Sequence, residues 1–168
     1  MIIRQATIAD AADLVAAEQE TARTAGLLVS RPDELKRAAF EHKIAELATT
    51  GRYIVAESNG EIVGHALLDP MPLTATAHVL RLTIVVHPGF LGRGIGEALM
   101  RDLMDWAERT TKARKIELLV RATNARAIHL YSKLGFVEEG RFKNRLRLPD
   151  GNYIDDIAMA WFPMRKHD

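Results

Sequence analysis

Residues 85–100 read Val85-Val86-His87-Pro88-Gly89-Phe90-Leu91-Gly92-Arg93-Gly94-Ile95-Gly96-Glu97-Ala98-Leu99-Met100. Just before the first glycine, residues 77–86 (AHVLRLTIVV) are apolar enough for a central strand buried on both faces. After the last, Ile95, Leu99, Leu103 and Trp106 fall on one helical stripe, while Glu97, Arg101, Asp105 and Arg109 form another with alternating charge at i,i+4. The stretch is therefore a strand-to-helix turn, and four glycines crowd its residues 89–96. A helix N-terminus carries partial positive charge and leaves its first N–H groups without internal partners. Glycine there lets those amides approach the oxygens of a phosphate or pyrophosphate. A plain tight connection needs fewer glycines, so the turn reads as an anion cradle.

Two well-known phosphate loops do not fit. The NTPase loop needs Gly-x4-Gly-Lys-Ser/Thr; counting from Gly89 reaches Gly94, but Ile95 and Gly96 stand where Lys and Ser/Thr belong. The dinucleotide fingerprint Gly-x-Gly-x-x-Gly starts at Gly92-x-Gly94 and then meets Glu97, and a hairpin precedes it where a βαβ unit should open.

Upstream, residues 2–6 suit a short strand, and Thr7-Ile8-Ala9-Asp10 reads as a capping box opening a helix to about Thr24, closed by Gly26. Ser30-Arg31-Pro32-Asp33 repeats the start signal, and Phe40, Ile44 and Leu47 give a helical stripe before Gly51. RYIVAE and EIVGHALLD, joined through Ser58-Asn59-Gly60, form the strongest hairpin signal in the chain. Downstream come a strand over residues 115–121, a short helix over 124–134 stopped by Gly135, and a strand over 136–148 that turns at Pro149-Asp150-Gly151 into residues 153–162. The order β-α-α-β-β-β-α-β-α-β-β predicts a mixed α/β (α+β) fold with helices on both faces of a sheet.

The 168 residues suit one domain, taken as 1–168. With 48% apolar and 27% charged residues the chain can bury a core and is unlike a disordered one. Lys plus Arg number 23 against 22 Asp plus Glu, a net charge of +1, so no global field favours nucleic acid or an anionic membrane. The absence of cysteine excludes disulfides, a thiolate metal site and a Cys nucleophile, and no metal is expected. No segment approaches the ~18 apolar residues of a membrane span, and the first residues lack the apolar run of a secretory signal. Cytoplasmic residence is the resulting expectation.

VVHPGFLGRGIGEALM resembles the signature of the GNAT family of N-acetyltransferases, Gln/Arg-x-x-Gly-x-Gly/Ala after a β-strand. NARAIHLYSKLGF resembles that family's second signature, Asn-x-x-Ala-x-x-Leu-Tyr-x-x-x-Gly-Phe. The two match in order and spacing over residues 78–137, about a third of the chain. The resemblance implies a single domain with a splayed, mostly antiparallel sheet of about seven strands and about four helices, and it implies acetyl-CoA as co-substrate. Ile84, Val85 and Val86 would hydrogen-bond the pantetheine arm through their backbone, and the amides of Gly92, Arg93, Gly94, Ile95, Gly96 and Glu97 would cradle the pyrophosphate. Leu91 departs from the Gln/Arg position of the signature; backbone contact survives that change, and Arg93 or a neighbouring base can supply charge.

Asn124 precedes a helix, so it reads as an N-cap, and by resemblance also as a pantetheine contact; the two are compatible. Tyr131 reads as a core aromatic or, with the motif, as the general acid that protonates the departing thiolate. The general base stays open. Relatives place a Glu on the fourth or fifth strand, where this chain has Arg81 and Leu119; Glu117, His78 and a water chain are the alternatives. Arg81 is expected to pair with an internal carboxylate such as Asp155 or Asp156, or to bind a substrate carboxylate. Arg141, Lys143, Arg145 and Arg147 alternate along one strand, either as a solvated edge or as an attractor of acidic substrate. Arg126 and His129 read as surface residues, with Arg126 near the CoA phosphate by resemblance. The last hairpin, with its Gly-x-Tyr-x-Asp stretch, is similar to that of members acting on amino acids or small amines.

The expected function is acetyl transfer from acetyl-CoA to a primary amine by direct attack in a ternary complex, with a small-molecule acceptor. Protein N-termini or lysines are the alternative acceptors, and a CoA-binding sensor without catalysis is the alternative of another class. Oligomeric state stays open, with a homodimer through terminal strands the family's habit.

Overall fold

The computed structural model describes residues 1–164. Asn59 and Gly60 take φ of 53° and 78°, the backbone that a two-residue primed turn requires, and they join strands β2 (Arg52–Ser58) and β3 (Glu61–Pro70). Around this hairpin the strands β1 (Ile2–Gln5), β4 (Val79–Val86), β5 (Lys115–Arg121), β6 (Val137–Arg147) and β7 (Tyr153–Trp161) complete one seven-stranded sheet, ordered β1-β2-β3-β4-β5-β7-β6. Every neighbouring pair is antiparallel except β4 with β5.

Alternation in β2 assigns the helices to faces. Ile54 and Ala56 point into a core shared with helices α3 (Ile95–Thr110) and α4 (Ala125–Lys133). Tyr53 and Val55 point the other way, into a core with α1 (Ala11–Ala22) and α2 (Arg37–Thr50). The mixed fold with helices on both faces is as predicted.

The capping box at Thr7 forms: the Asp10 carboxylate accepts the Thr7 N–H at 2.7 Å and opens a 3-10 turn leading into α1. The same carboxylate takes both terminal nitrogens of Arg4 at 2.9 Å, which holds it below the usual carboxylate range. The second start signal yields less than predicted. Pro32–Glu34 make a single 3-10 turn, Leu35 and Lys36 are extended, and α2 begins at Arg37. Gln19 of α1 donates to the Leu35 carbonyl at 3.0 Å and pins that break.

Two strands also differ from their sequence reading. β4 is not buried on both faces: Leu80, Leu82 and Val85 are buried, but Arg81 and Thr83 are exposed. The cause is its pairing with β5, which is limited to Val79–Arg81 opposite Lys115–Glu117, after which the strands part. In β6 the ladder is irregular between Phe142 and Leu146, with Asn144 at φ 52°. Lys143 and Arg145 fall inside that irregularity, so the four basic residues do not form one row. Arg141 instead pairs with Asp155 at 3.1 Å, and Arg145 lies over the Phe142 ring at 5.5 Å. Among the described residues no helix is long and apolar enough to cross a membrane.

Candidate active site

Where β4 and β5 part they open a cleft of about 900 Å³. Ile84 and Val85 line it from β4, Val120 and Arg121 from β5, and Asn124 and Tyr131 from the start and body of α4. Parallel strands that lose their ladder expose backbone donors and acceptors to whatever enters between them. Val86 and the glycine loop do not line this cleft; they continue from the end of β4 to the N-terminus of α3.

In the loop, Gly89, Gly92 and Gly94 have φ of 86°, 79° and 76°, the left-handed region that other residues adopt at a cost of roughly 1–2 kcal/mol. A Cβ added at Gly89 or Gly94 would meet nothing within 4 Å, so the space over the loop is open to a ligand. The first intrahelical bond of α3 runs from the Ala98 N–H to the Gly94 carbonyl at 3.0 Å, which leaves the amides of Ile95, Gly96 and Glu97 as the free donors of the helix end. Gly96 has a packing role as well, since its Cβ would press on Leu130 at 3.2 Å. Arg126 reaches over the loop, its Nη2 2.7 Å from where a Gly92 Cβ would stand, and adds positive charge there. Arg93 leans on the Phe90 ring at 5.1 Å, and Leu91 is exposed. The residues present fit a pyrophosphate group.

Asn124 caps α4, its side-chain oxygen accepting the Ala127 N–H at 3.2 Å. Tyr131 packs its ring 6.0 Å from that of Phe136 and is buried. Burial pushes its hydroxyl up to about 12, with the Arg121 charge working in the opposite direction. Tyr131 thus keeps its proton at any physiological pH, and it sits in the cleft wall.

The charged residues are placed differently from the sequence expectation. Arg81 pairs with neither Asp155 nor Asp156. Its cross-strand neighbour is Asp69, 3.5 Å away, and that carboxylate is already held by Lys43 at 2.9 Å. The loosely held Arg81 side chain is 52% exposed and lines the cleft. Asp156 pairs instead with Arg121, its neighbour across β5 and β7, both of them buried. Neighbouring strands place these partners, and sequence distance does not. Glu117 and Leu119 both line the cleft, as do Leu118, Val120 and Arg121 beside them, with Glu117 held by Lys115 at 3.1 Å. His78 is exposed ahead of β4 and lies outside the lining, as do the four basic residues of β6. Among the described residues no group of three or more His, Cys, Asp or Glu side chains is arranged so that it could hold a metal ion.

One feature of the cleft wall went unread in the sequence. Glu18 of α1 lines the cleft and contacts His65 Nε2 at 2.8 Å; His65 Nδ1 contacts His87 Nε2 at 2.8 Å; and His87 Nδ1 contacts the Ile62 carbonyl at 2.9 Å. His65 is 0% and His87 5% exposed, so this is a buried polar chain ending at a carboxylate in the cleft. The one available signal was a histidine in the middle of the apolar run EIVGHALLD. Nothing in spacing ties it to Glu18.

A family model described as acetyltransferase (GNAT) family matches residues 14–136. The L-amino acid N-acetyltransferase AaaT of Escherichia coli is 35% identical over 109 residues, 65% of this chain and 67% of the relative. The N-alpha-acetyltransferase RimI of Mycobacterium tuberculosis is 35% identical over 103 residues, 61% of each chain. The chain thus spans about three fifths to two thirds of these relatives. Among solved structures, a GNAT-family acetyltransferase from Streptococcus pneumoniae superposes with a TM-score of 0.88 at 28% identity, covering 96% of this chain and 98% of the other. The yncA structure from Salmonella typhimurium, solved with its cofactor acetyl-CoA, gives a TM-score of 0.90 at 20% identity, covering 100% and 96%. At that identity the likeness shows the fold.

Proposed function

The chain belongs to the acetyltransferase (GNAT) family, an acetyl-CoA-dependent N-acetyltransferase by that membership, and from this premise we propose that it acetylates the primary amine of a small molecule by direct attack within a ternary complex. The observation that carries the reading is the parting of β4 from β5: it opens a cleft that holds Val85, Asn124 and Tyr131 in its walls and runs toward the open glycine turn. The co-substrate supplies an activated acetyl group and a thiolate leaving group.

This chain's residues would divide the work as follows. The amides of Gly92, Arg93, Gly94, Ile95, Gly96 and Glu97 bind the pyrophosphate, with Arg126 adding charge. Backbone groups of Ile84, Val85 and Val86, freed from pairing with β5, hold the pantetheine arm, and Asn124 contacts it from the other wall. A strand amide near Val85 polarises the carbonyl under attack. Tyr131 donates its hydroxyl hydrogen to the departing sulfur. No cysteine exists to carry an acyl group, which favours direct attack over a two-step route.

The likeness to AaaT supports a small acceptor, and Arg81, half-exposed in the cleft, offers a partner for an acceptor carboxylate. The likeness to RimI supports a second reading, a peptide N-terminus. A thiol-release assay with acetyl-CoA against amino acids, polyamines and short peptides separates them. Release with free amino acids or amines is expected. Release only with peptides would replace the small-molecule reading with the second.

A further inference from the structure

The residues assigned above supply an acid but no group to take the acceptor's proton, and the buried Glu18–His65–His87 chain has the form of such a group. Its hydrogen-bond roles follow from its far end. The Ile62 carbonyl can only accept, so His87 Nδ1 carries that ring's hydrogen. Burial first, and the neighbouring His65 second, push His87 down to about 4, so the ring is neutral and its Nε2 presents a lone pair. His65 Nδ1 must donate into it. A neutral His65 then has a lone pair on Nε2 as well, and that lone pair faces a Glu18 carboxylate oxygen at 2.8 Å. The contact is a hydrogen bond only when one proton is shared between them.

The Glu18–His65 pair therefore has an unloaded state with two acceptors opposed and a loaded state with a proton between them. The position of the pair is as specific as its chemistry. His65 is the direct cross-strand partner of Val85, and Glu18, with its side chain 15% exposed, lines the same cleft as Val85.

We propose that Glu18 is the catalytic base of the transfer, taking a proton from the acceptor's ammonium, with His65 and His87 as positioning residues that orient the carboxylate and share the proton. This rests on the function proposed above. One N–H proton passes to the Glu18–His65 pair, and the freed nitrogen lone pair forms the C–N bond to the acetyl carbon. The C–S bond breaks with its electrons moving to sulfur, which takes the Tyr131 proton. The second proton lost by nitrogen restores Tyr131, and the proton held by the pair leaves to solvent.

Other groups facing the pair do not compete for that role. Tyr53 of β2 lies 6.0 Å from His65, ring to ring, and burial keeps its hydroxyl protonated far above the usual range. On the cleft side, Glu18 shares the lining with Asp69, Arg81, Glu117, Arg121 and Glu139, of which the carboxylates Asp69, Glu117 and Glu139 are each held by a lysine.

Glu18→Gln tests the proposal cleanly, because the amide N–H can donate to His65 Nε2 and match the contact with no shared proton. The variant is expected to fold, to bind acetyl-CoA within about twofold of the parent, and to lose about 100-fold or more in kcat. Its rate should climb with pH along the free-amine fraction of the acceptor, where the parent reaches a plateau. Nitrogen NMR of the histidine rings, which needs no turnover, should show His65 Nε2 taking up the shared proton reversibly as pH is lowered in the parent, and a ring that stays neutral over the same range in the variant. Activity within about threefold of the parent with the same pH profile would overturn the proposal. So would loss of acetyl-CoA binding, or a His65 ring that takes up no proton over that range in the parent. A parent that releases no thiol with any amine would instead sink the function proposed above, while the NMR comparison still reads the pair.

Discussion

Tyr131 is a weak acid made weaker by burial, and that sets what it can do. With its hydroxyl pushed up to about 12, in the role proposed for it Tyr131 would donate a hydrogen bond to a sulfur that is becoming negative, and only contact with that charge would draw the proton across. Tyr131→Phe should lower kcat by about 100-fold while acetyl-CoA affinity measured by calorimetry stays within about twofold. Full activity in that variant would remove Tyr131 from the role. At Gly94 the φ of 76° and the open space above it give a different expectation. Gly94→Val should cost roughly 1–2 kcal/mol of stability through left-handed strain, and should weaken acetyl-CoA binding, because the added side chain enters the space over the amides. Unchanged affinity would mean the turn does not cradle the pyrophosphate. His87 links the site to acid stability. Its folded value near 4 lies below the ordinary 6.5, so the unfolded chain binds more protons between those values. Stability should be complete above about pH 6.5 and fall by up to about 3 kcal/mol as pH drops toward 4, seen as a shift in urea midpoint. His87→Gln should flatten that part of the profile.

Elements were legible in the sequence where a local rule decides them. Asn59-Gly60 forced the hairpin, and the glycines of 89–96 marked the strand-to-helix turn, because both depend on backbone conformations that few residues adopt. The second helix start was misread because Pro32 suits the first turn of either helix type, and the Gln19 bond that breaks it comes from another element. β4 was read as buried on both faces because its composition is apolar; that it loses its partner after Arg81 is a property of two strands and not of one. Gly51 shows a close approach that no motif announced. A Cβ there would run into the Leu68 carbonyl and lie 2.8 Å from Leu47 Cδ2, at the junction of α2 and β2. Gly51→Ala should therefore destabilise by about 1–3 kcal/mol, measurable by denaturant titration, with little effect on acetyl-CoA affinity in the folded fraction.

For the whole molecule, the function was read from two short motifs, whereas much of the charge arrangement was not readable at all. Asn124, Tyr131, Ile84 and Val85 do come together in one cleft, but Arg81 meets Asp69, Arg121 meets Asp156, and Glu18 meets His65 only because the sheet order brings their strands and α1 side by side. A ligand that bridges the cleft and the glycine turn should stabilise the folded chain by mass action. At a concentration 100 times its Kd, acetyl-CoA should add about 2.7 kcal/mol, a rise in Tm of roughly 5–10 °C for a chain of this size. The most direct test of the account is initial-rate thiol release over a matrix of acetyl-CoA and amine concentrations. The account predicts no release without amine and intersecting double-reciprocal lines, as a ternary complex requires. Parallel lines, or release indifferent to the amine, would contradict it.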